Sequence, residues 1–491
     1  MQLSKASIYL SLLILLSSCV SEESKRDQLP PNVILIYADD LSMHQIGAYG
    51  QKVIKTPRID KMASEGLLFT KAYSPSGACA PSRASVILGK HVGHITQRRN
   101  GAFSHVRAVE VGFPEFIQRN GIKTCMIGKN HNILSQGPRP LGDLPSDFGM
   151  DYFLGTLRAV DAHPYFLDGK TAPEKNIVQH LWEISHGTLK PHFVSPDTYT
   201  QDAYTERAKS YIEENKDSSF FMYLSLQIPH FELAIPRKSM PSFSSADAMI
   251  ASWYQDENGN SIFNEVPWKE TFGYNRPCSD PAFTQASMIS RMDSDIGQIM
   301  DLLEDLNLRD NTYVIFTSDN GYQPVPGEDH FEMKSFVSGS KGRLQEGGVK
   351  VPFIVWGANI PEGSRINEPI IGYDLGATIL GLVGIQETYI TDGVSFANSF
   401  NNPAVLPTRS YLYWENPTAA ICQATLIEGR YKVYKSNCKN QNYKLKVFDL
   451  EADPLEKNDI SSSDYGVVLA DKAKKIFRSE HVPYESYDIP N

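Results

Sequence analysis

Long hydrophobic runs are scarce in this chain. The apolar stretch from Ile8 to Leu16 falls well short of the roughly 20 residues that a membrane-spanning helix needs, and no other run reaches that length. A basic surplus is also missing. With 47 Lys and Arg against 57 Asp and Glu, the net charge is −10. That excludes a broad basic face for nucleic acid and gives no general steering toward polyanions. An anionic substrate must be captured locally, in a pocket whose charge opposes that of the whole. Cysteine is sparse: there are six, none spaced as Cys-x-x-Cys, so no pair shows the usual thiolate zinc spacing. There is no internal repeat and no low-complexity tract. What remains is 491 residues, 41% hydrophobic and 21% charged, the make-up of a globular protein large enough for two domains.

The N-terminus reads as an export signal, with Lys5 ahead of the short apolar run. The run ends in Leu16-Ser17-Ser18-Cys19, which resembles a bacterial lipobox. The resemblance implies a signal peptide over residues 1–18, a lipid on Cys19, a polar tether over 19–30, and a periplasmic or cell-surface location, anchored to the outer membrane through Cys19. The alternative is an ordinary cleaved signal peptide with an incidental Cys. Elsewhere, Cys422 and Cys438 flank a predicted hairpin and can pair. Cys125 lies in a predicted strand as a small core residue, and Cys278 has no evident role.

Short β-branched runs alternate with longer helical patterns. Asn32 to Ala38, Lys123 to Ile127, Phe220 to Leu226, Thr312 to Thr317 and Val351 to Trp356 read as buried strands. Met288, Met292, Ile296, Ile299 and Leu303 recur at helical spacing and form a core stripe. The pattern predicts an α/β fold, a large, mostly parallel sheet sandwiched by helices, over residues 31–397, with a last helix over Ile370 to Ile385. Residues 398–491 predict a smaller antiparallel sheet from four short strands, with a covering helix near Val467 to Phe477.

Chemistry-bearing residues cluster at predicted strand ends. Asp39-Asp40 follows the first strand, Lys129 and His131 the second, His230 the third, and Asp319-Asn320 the fourth. Ligands of open parallel sheets bind outside the carboxyl ends of the strands, so topology predicts that these groups converge. Asp39, Asp40, Asp319 and Asn320 offer only oxygen, which suits a hard cation, Ca2+ or Mg2+. Any one Asp alone would read as a turn residue or helix cap, and either His alone as a hydrogen-bonded loop residue. The run Cys79-Ala80-Pro81-Ser82-Arg83 adds a thiol beside a Pro suited to a first helical position, with Arg one turn later on the same face. Such a helix start favours anions.

Cys79-Ala80-Pro81-Ser82-Arg83 followed by a short apolar stretch and Gly89 resembles the signature of the type I sulfatases, formylglycine-dependent members of the alkaline phosphatase superfamily. Other segments match in order. Gly128-Lys129-Asn130-His131 is similar to the family's Gly-Lys-Trp-His, with Asn130 replacing an aromatic. Pro229-His230 matches its Pro-His element, and Lys341 the Lys before its Glu-Gly-Gly. Asp453-Pro454-Leu455-Glu456-Lys457-Asn458 resembles its C-terminal turn. Ser338 and Gln345 depart from the family, where many relatives carry Arg and Tyr, which leaves the local packing open.

The resemblance implies a sulfatase that hydrolyses sulfate monoesters, on sulfated carbohydrate if export is a guide. Cys79 would be oxidised to formylglycine by a maturase, and its hydrate would attack sulfur to give a covalent sulfo-enzyme. The same resemblance assigns the metal, usually calcium, to Asp39, Asp40, Asp319, Asn320 and residue 79. It assigns sulfate contacts to Arg83, Lys129 and Lys341, and proton transfer to Asp319, His131 and His230. Arg98, Asn100, His163 and Tyr165 match positions near the pocket or in substrate loops of relatives, whereas His91 and His94 read as mainly structural, with substrate contact the alternative for His94. The segment Pro236 to Pro277, with Trp253, Tyr254, Phe263, Trp268 and Tyr274, forms either a sugar-stacking wall or an aromatic mini-core of its own. Two rivals stand beside this reading. One is a phosphoester or phosphonate hydrolase of the same superfamily, against which the Cys-x-Pro-Ser-Arg run speaks. The other is a catalytically dead, glycan-binding lipoprotein, against which the full set of chemical groups speaks.

Overall fold

The computed structural model describes residues 29–100, 111–130, 144–162, 165–167, 171–172, 177–178, 180–195, 198–238, 244–263, 278, 280–405, 409–438 and 443–483. Cys19, His131, His163, Trp268 and Tyr274 therefore lie outside the described residues.

Ten strands form the main sheet: β1 (Asn32–Ala38), β2 (Leu67–Phe69), β3 (Lys123–Lys129), β4 (Tyr152–Thr156), β5 (Leu181–Ser185), β6 (Thr188–His192), β7 (Phe220–Ser225), β8 (Thr312–Ser318), β9 (Phe353–Gly357) and β10 (Ser364–Ile366). Their spatial order is β6-β5-β4-β3-β7-β1-β8-β9-β2-β10. The central block β4-β3-β7-β1-β8 is parallel. β9 runs antiparallel to β8, and the hairpin β5–β6 extends the opposite edge. The short charged hairpin carries little apolar alternation and was not legible in the sequence.

β1 explains the sandwich. Its side chains alternate between faces. Ile34 and Ile36 enter one core with Ile59 and Met62 of α1 (Pro57–Ser64), Tyr204, Ala208 and Ile212 of α4 (Thr200–Glu214), and the Met288-to-Leu303 stripe of α6 (Pro281–Asp305). Val33, Leu35 and Tyr37 enter the other, with α2 (Cys79–Leu88), α3 (Phe113–Arg119) and α7 (Leu375–Leu382). A strand buried on both faces must be apolar throughout, as β1 is. The expected helix from Ile370 starts only at Leu375. Ile370 and Ile371 instead pair in parallel with Ala72 and Tyr73, so β-branched residues at that end take the extended form.

The C-terminal sheet is β11 (Tyr411–Glu415), β12 (Ile421–Ile427), β13 (Tyr431–Ser436) and β14 (Lys444–Asp449), antiparallel in chain order. One face carries Leu412, Trp414, Leu426 and Phe448 against Tyr73, Leu344, Val349 and Tyr373 of the main body. The other face packs on Leu469, Ala473, Ile476 and Phe477 of α8 (Asp464–Glu480). Cys422 and Cys438 form a disulfide. α5 (Ser245–Trp253) precedes Tyr254 and Phe263, which are buried and pack on one another, Phe283 and Phe331. These rings follow neither reading of that aromatic segment: Tyr254 and Phe263 join the main core.

Candidate active site

β1 lies between β7 and β8, strands that come much later in the chain. The carboxyl ends of β1, β3, β7 and β8 therefore meet, and their residues meet with them. Asp40 leaves β1 with φ +66°, a left-handed turn that Asp tolerates better than most residues. Asp39, Asp40, Asp319 and Asn320 are all fully buried. Asp40 N–H donates to Asp319 Oδ1 at 3.1 Å, and Asn320 Nδ2 donates to Asp40 Oδ1 at 2.8 Å.

Three cations converge on these acids. Arg83 sets Nε and Nη2 against Asp319 Oδ2 at 2.9 and 2.8 Å, donates through Nη1 to Ser225 Oγ, and lies 5.3 Å from the centroid of the Tyr37 ring. Lys129 donates to Asp39 Oδ2, and Lys341 to Asp40 Oδ2 at 2.6 Å. His230 Nε2 stands 3.6 Å from Asp40 Oδ2. Ser225 was not singled out in the sequence. It ends β7 and binds the Lys129 carbonyl at 2.6 Å, so its position at a strand end was the available signal.

Cys79 is the first residue of α2 and is buried. Pro81 falls later in the first turn rather than at its start, where its missing N–H still costs no helical bond. Asn100 accepts the Ala80 N–H at 2.9 Å, filling one orphan donor, and its Nδ2 stands 3.9 Å from Cys79 Sγ. Cys79 Sγ is also 3.9 Å from Asp40 Oδ1. Burial, with Asp39 adding to it against Lys341, pushes the thiol up to about 12. An unmodified Cys79 is thus a poor thiolate nucleophile at neutral pH.

The donor set fits a hard divalent ion. Asp39 Oδ1 and Asn320 Oδ1 are buried without a hydrogen-bond partner among the described residues. The close donor group differs from the expected oxygen set: ligand atoms of Asp39, Asp40, Cys79 and His230 all lie within 4.8 Å of one another, and Asp319 stands outside that group. Burial and then Asp39 push Asp319 up to about 8. Burial also opposes the charge on Asp39, but Lys129, His230 and Arg83 hold its carboxyl well below the usual range. Three carboxyls face three protein cations, so wherever these acids ionise they consume the positive charge an anion would need. A divalent ion restores that surplus.

Lys341 owes its place to close backbone packing. A Cβ on Gly321 would lie 1.9 Å from the Gly347 carbonyl oxygen, so both loops approach only because Gly321 lacks one. Next to Gly347, Glu346 accepts from Lys432 of β13 at 2.7 Å and from Tyr73 at 3.1 Å. Ser338 and Gln345, the two departures noted in the sequence, resolve together. Gln345 Nε2 donates to Ser338 Oγ at 3.1 Å, and Ser338 donates onward to Glu456.

Two expectations change. Arg98 is not at the cluster: its guanidinium is buried on the Ile95, Gly93 and Val482 carbonyls and Glu415, which makes it a clamp between the main body and β11. Tyr165 is buried and donates to the Gln227 and His230 carbonyls at 2.9 and 2.6 Å, so it holds the His230 loop from within.

Comparison with known proteins agrees with this geometry. A family model described as Sulfatase matches residues 31–385. The chain is 24% identical to an N-acetylgalactosamine-6-O-sulfatase of Bacteroides thetaiotaomicron, over 92% of this chain and 94% of that one. It is 26% identical to steryl-sulfatase of Homo sapiens, over 80% and 73%. Among solved structures, Ps i-CgsB in complex with k-i-k-neocarrahexaose shares the fold, with a TM-score of 0.72 and 24% identity over 94% of this chain and 95% of that one. With the buried acid–cation cluster around Cys79 and a family match over most of its length, the chain belongs to the sulfatase family and is a sulfuric ester hydrolase.

Proposed function

We propose that this protein removes sulfate from sulfated carbohydrate, using formylglycine formed from Cys79 by a maturase and a Ca2+ ion held by Asp39, Asp40, Asp319 and Asn320. The observation that carries the reading is the buried Cys79 at a helix start, 3.9 Å from Asp40, which is itself paired with Lys341, and grouped with Asp39, which is paired with Lys129. Two comparisons support a glycan substrate: the N-acetylgalactosamine-6-O-sulfatase relative and the neocarrahexaose complex of the structural neighbour.

The hydrated aldehyde supplies two hydroxyls on one carbon, one to attack sulfur and one to release the sulfate, while the metal acts as Lewis acid and template. The chain's own groups do the rest. Lys129 and Lys341 neutralise the sulfate oxygens, and preorganised charges of this kind are usually the largest catalytic contribution. Arg83 fixes Asp319 through the two-point contact described above, which aims its carboxyl as proton acceptor beside residue 79. His230 delivers a proton to the departing alcohol oxygen, and the Tyr165 bond to its carbonyl holds the loop that carries it. His131, two residues beyond Lys129, takes the proton of the release step. The Leu16-Ser17-Ser18-Cys19 run supports a lipid-anchored enzyme outside the cytoplasm. Among the described residues no helix is long and apolar enough to cross a membrane.

The test is co-expression with a maturase, mass spectrometry of the residue-79 peptide, and sulfate release from defined sulfated mono- and disaccharides. Aldehyde at residue 79 and turnover lost in Cys79→Ala are expected. Full activity with an unmodified thiol, or dominant turnover of aryl phosphate over aryl sulfate, would overturn the reading.

A further inference from the structure

A second cluster lies at the far end of α2, where the motif Gly89-Lys90-His91-Val92-Gly93-His94 takes no part in the chemistry above. Val92–His94 form a 3-10 turn with His91 as its N-cap. In such a turn, side chains three apart eclipse, so the two imidazoles meet, their ring centroids 3.9 Å apart and their planes tilted by 34°. Two carboxylates from distant segments close on them. Asp392 Oδ2 lies 2.9 Å from His94 Nδ1 and 3.6 Å from His91 Nε2. Glu480, the last residue of α8, places Oε2 2.9 Å from His91 Nε2.

The carboxylates are themselves held. Asp392 Oδ2 accepts the His91 N–H at 3.0 Å, and its own N–H binds the Gly89 carbonyl at 2.9 Å. Glu480 Oε1 accepts from Tyr411 at 2.8 Å. The end of α8 reaches this turn because Gly93 carries no side chain: a Cβ there would stand 2.3 Å from the Glu480 carbonyl oxygen. His91 is buried, whereas His94 and Asp392 keep 29% and 24% of their side chains exposed, which leaves an entry path.

We propose that His91, His94 and Glu480 form a zinc site, distinct from the catalytic cation, with Asp392 holding the ring of His94. Donors about 2.0 Å from one tetrahedral ion stand about 3.3 Å apart. Glu480 Oε2 and His91 Nε2 are 2.9 Å apart, and the donor atoms of His91, His94 and Glu480 all lie within 4.8 Å of one another, a group that Asp392 stands outside. Two imidazoles and a carboxylate suit zinc and not calcium or magnesium, which take oxygen. The three ligands tie α8 to the segment that follows the nucleophile helix.

The full-length protein, kept in excess Ca2+, is dialysed against limiting Zn2+ and its zinc content measured by mass spectrometry. Wild type and Asp39→Asn, which alters the catalytic cluster, are each expected to retain one zinc per chain. His94→Ala and the near-isosteric Glu480→Gln are expected to retain none, with zinc affinity reduced at least tenfold. Added zinc is expected to raise the melting temperature of wild type and leave that of both variants unchanged. Absence of bound zinc in wild type, or equal zinc content in wild type and both variants, overturns the site and leaves two ordinary His–carboxylate pairs. Zinc lost from Asp39→Asn but kept by His94→Ala also overturns it, because the ion would then belong to the catalytic cluster.

Discussion

Arg83 shows how much depends on the shape of one side chain. Its guanidinium meets Asp319 with two nitrogens and Ser225 with a third. A Lys at that position keeps the charge but not the fork. Arg83→Lys should therefore fold, retain substrate binding and lose about 100-fold in kcat, which steady-state kinetics on an aryl sulfate will show. A different residue-scale effect lies in the core. Arg291 faces Asp202, Asp247 and Asp295 together. Burial, against Arg291, pushes Asp295 up to about 7 and Asp202 up to about 6. Unfolded carboxyls titrate near ~4, so the fold holds these protons more tightly. The resulting stability is complete below about pH 4 and is lost as pH rises through about 7. Melting temperatures measured at pH 5 and pH 8 should fall with pH, and Asp295→Asn should flatten that slope. The convergence of Asp39, Asp40, Lys129, Asp319 and Asn320 was readable from sequence because they stand at strand ends, whereas Arg83 and Lys341 were brought to that cluster only through the family resemblance. The acidic trio around Arg291 was not readable, because Asp202, Asp247 and Asp295 come from three helical segments whose meeting is tertiary.

Among the elements, the strand–loop units carried a clear signal and the irregular ones did not. β1, β3, β7 and β8 fall within a residue or two of their expected bounds because buried parallel strands are continuous apolar runs. The start of α7 was misplaced, since Ile370 and Ile371 suit strand and helix alike until Ala72 and Tyr73 pair with them. The loop holding Lys341 is set by backbone contact, which no side-chain pattern reveals. Gly347→Ala would put a Cβ 2.2 Å from the Gly339 carbonyl oxygen, and the loop must shift. A displacement near 1 Å at Lys341 should lower kcat/KM by about 100-fold, with the circular dichroism spectrum unchanged. An unaltered kcat/KM would show that Lys341 is placed by something other than this contact.

At the scale of the whole molecule, the C-terminal sheet is not a free appendage. Trp414, Leu426 and Phe448 share a core with Tyr73, Leu344 and Val349, and Trp414 Nε1 donates to the Ser74 carbonyl at 2.8 Å. Lys432, buried in that sheet, pairs with Glu346 beside the Lys341 loop. The sequence showed two regions of different pattern. It did not show that one completes the other, because the shared core draws on residues more than 300 positions apart. Calorimetry of the full chain should give a single unfolding transition, and a chain ending at residue 405 should be insoluble or inactive. Two well-separated transitions would mean that the halves fold independently.

The depth of Cys79 has a consequence for the order of events in the cell. Only 1% of that residue is open to solvent, and its sulfur keeps its proton. On the proposed mechanism, a modifying enzyme working on the finished protein would find nothing to grip, and conversion would belong to the nascent chain, before the fold closes over residue 79. A batch that folds unconverted would then be committed to inactivity. Iodoacetamide should label its residue 79 only after denaturant is added.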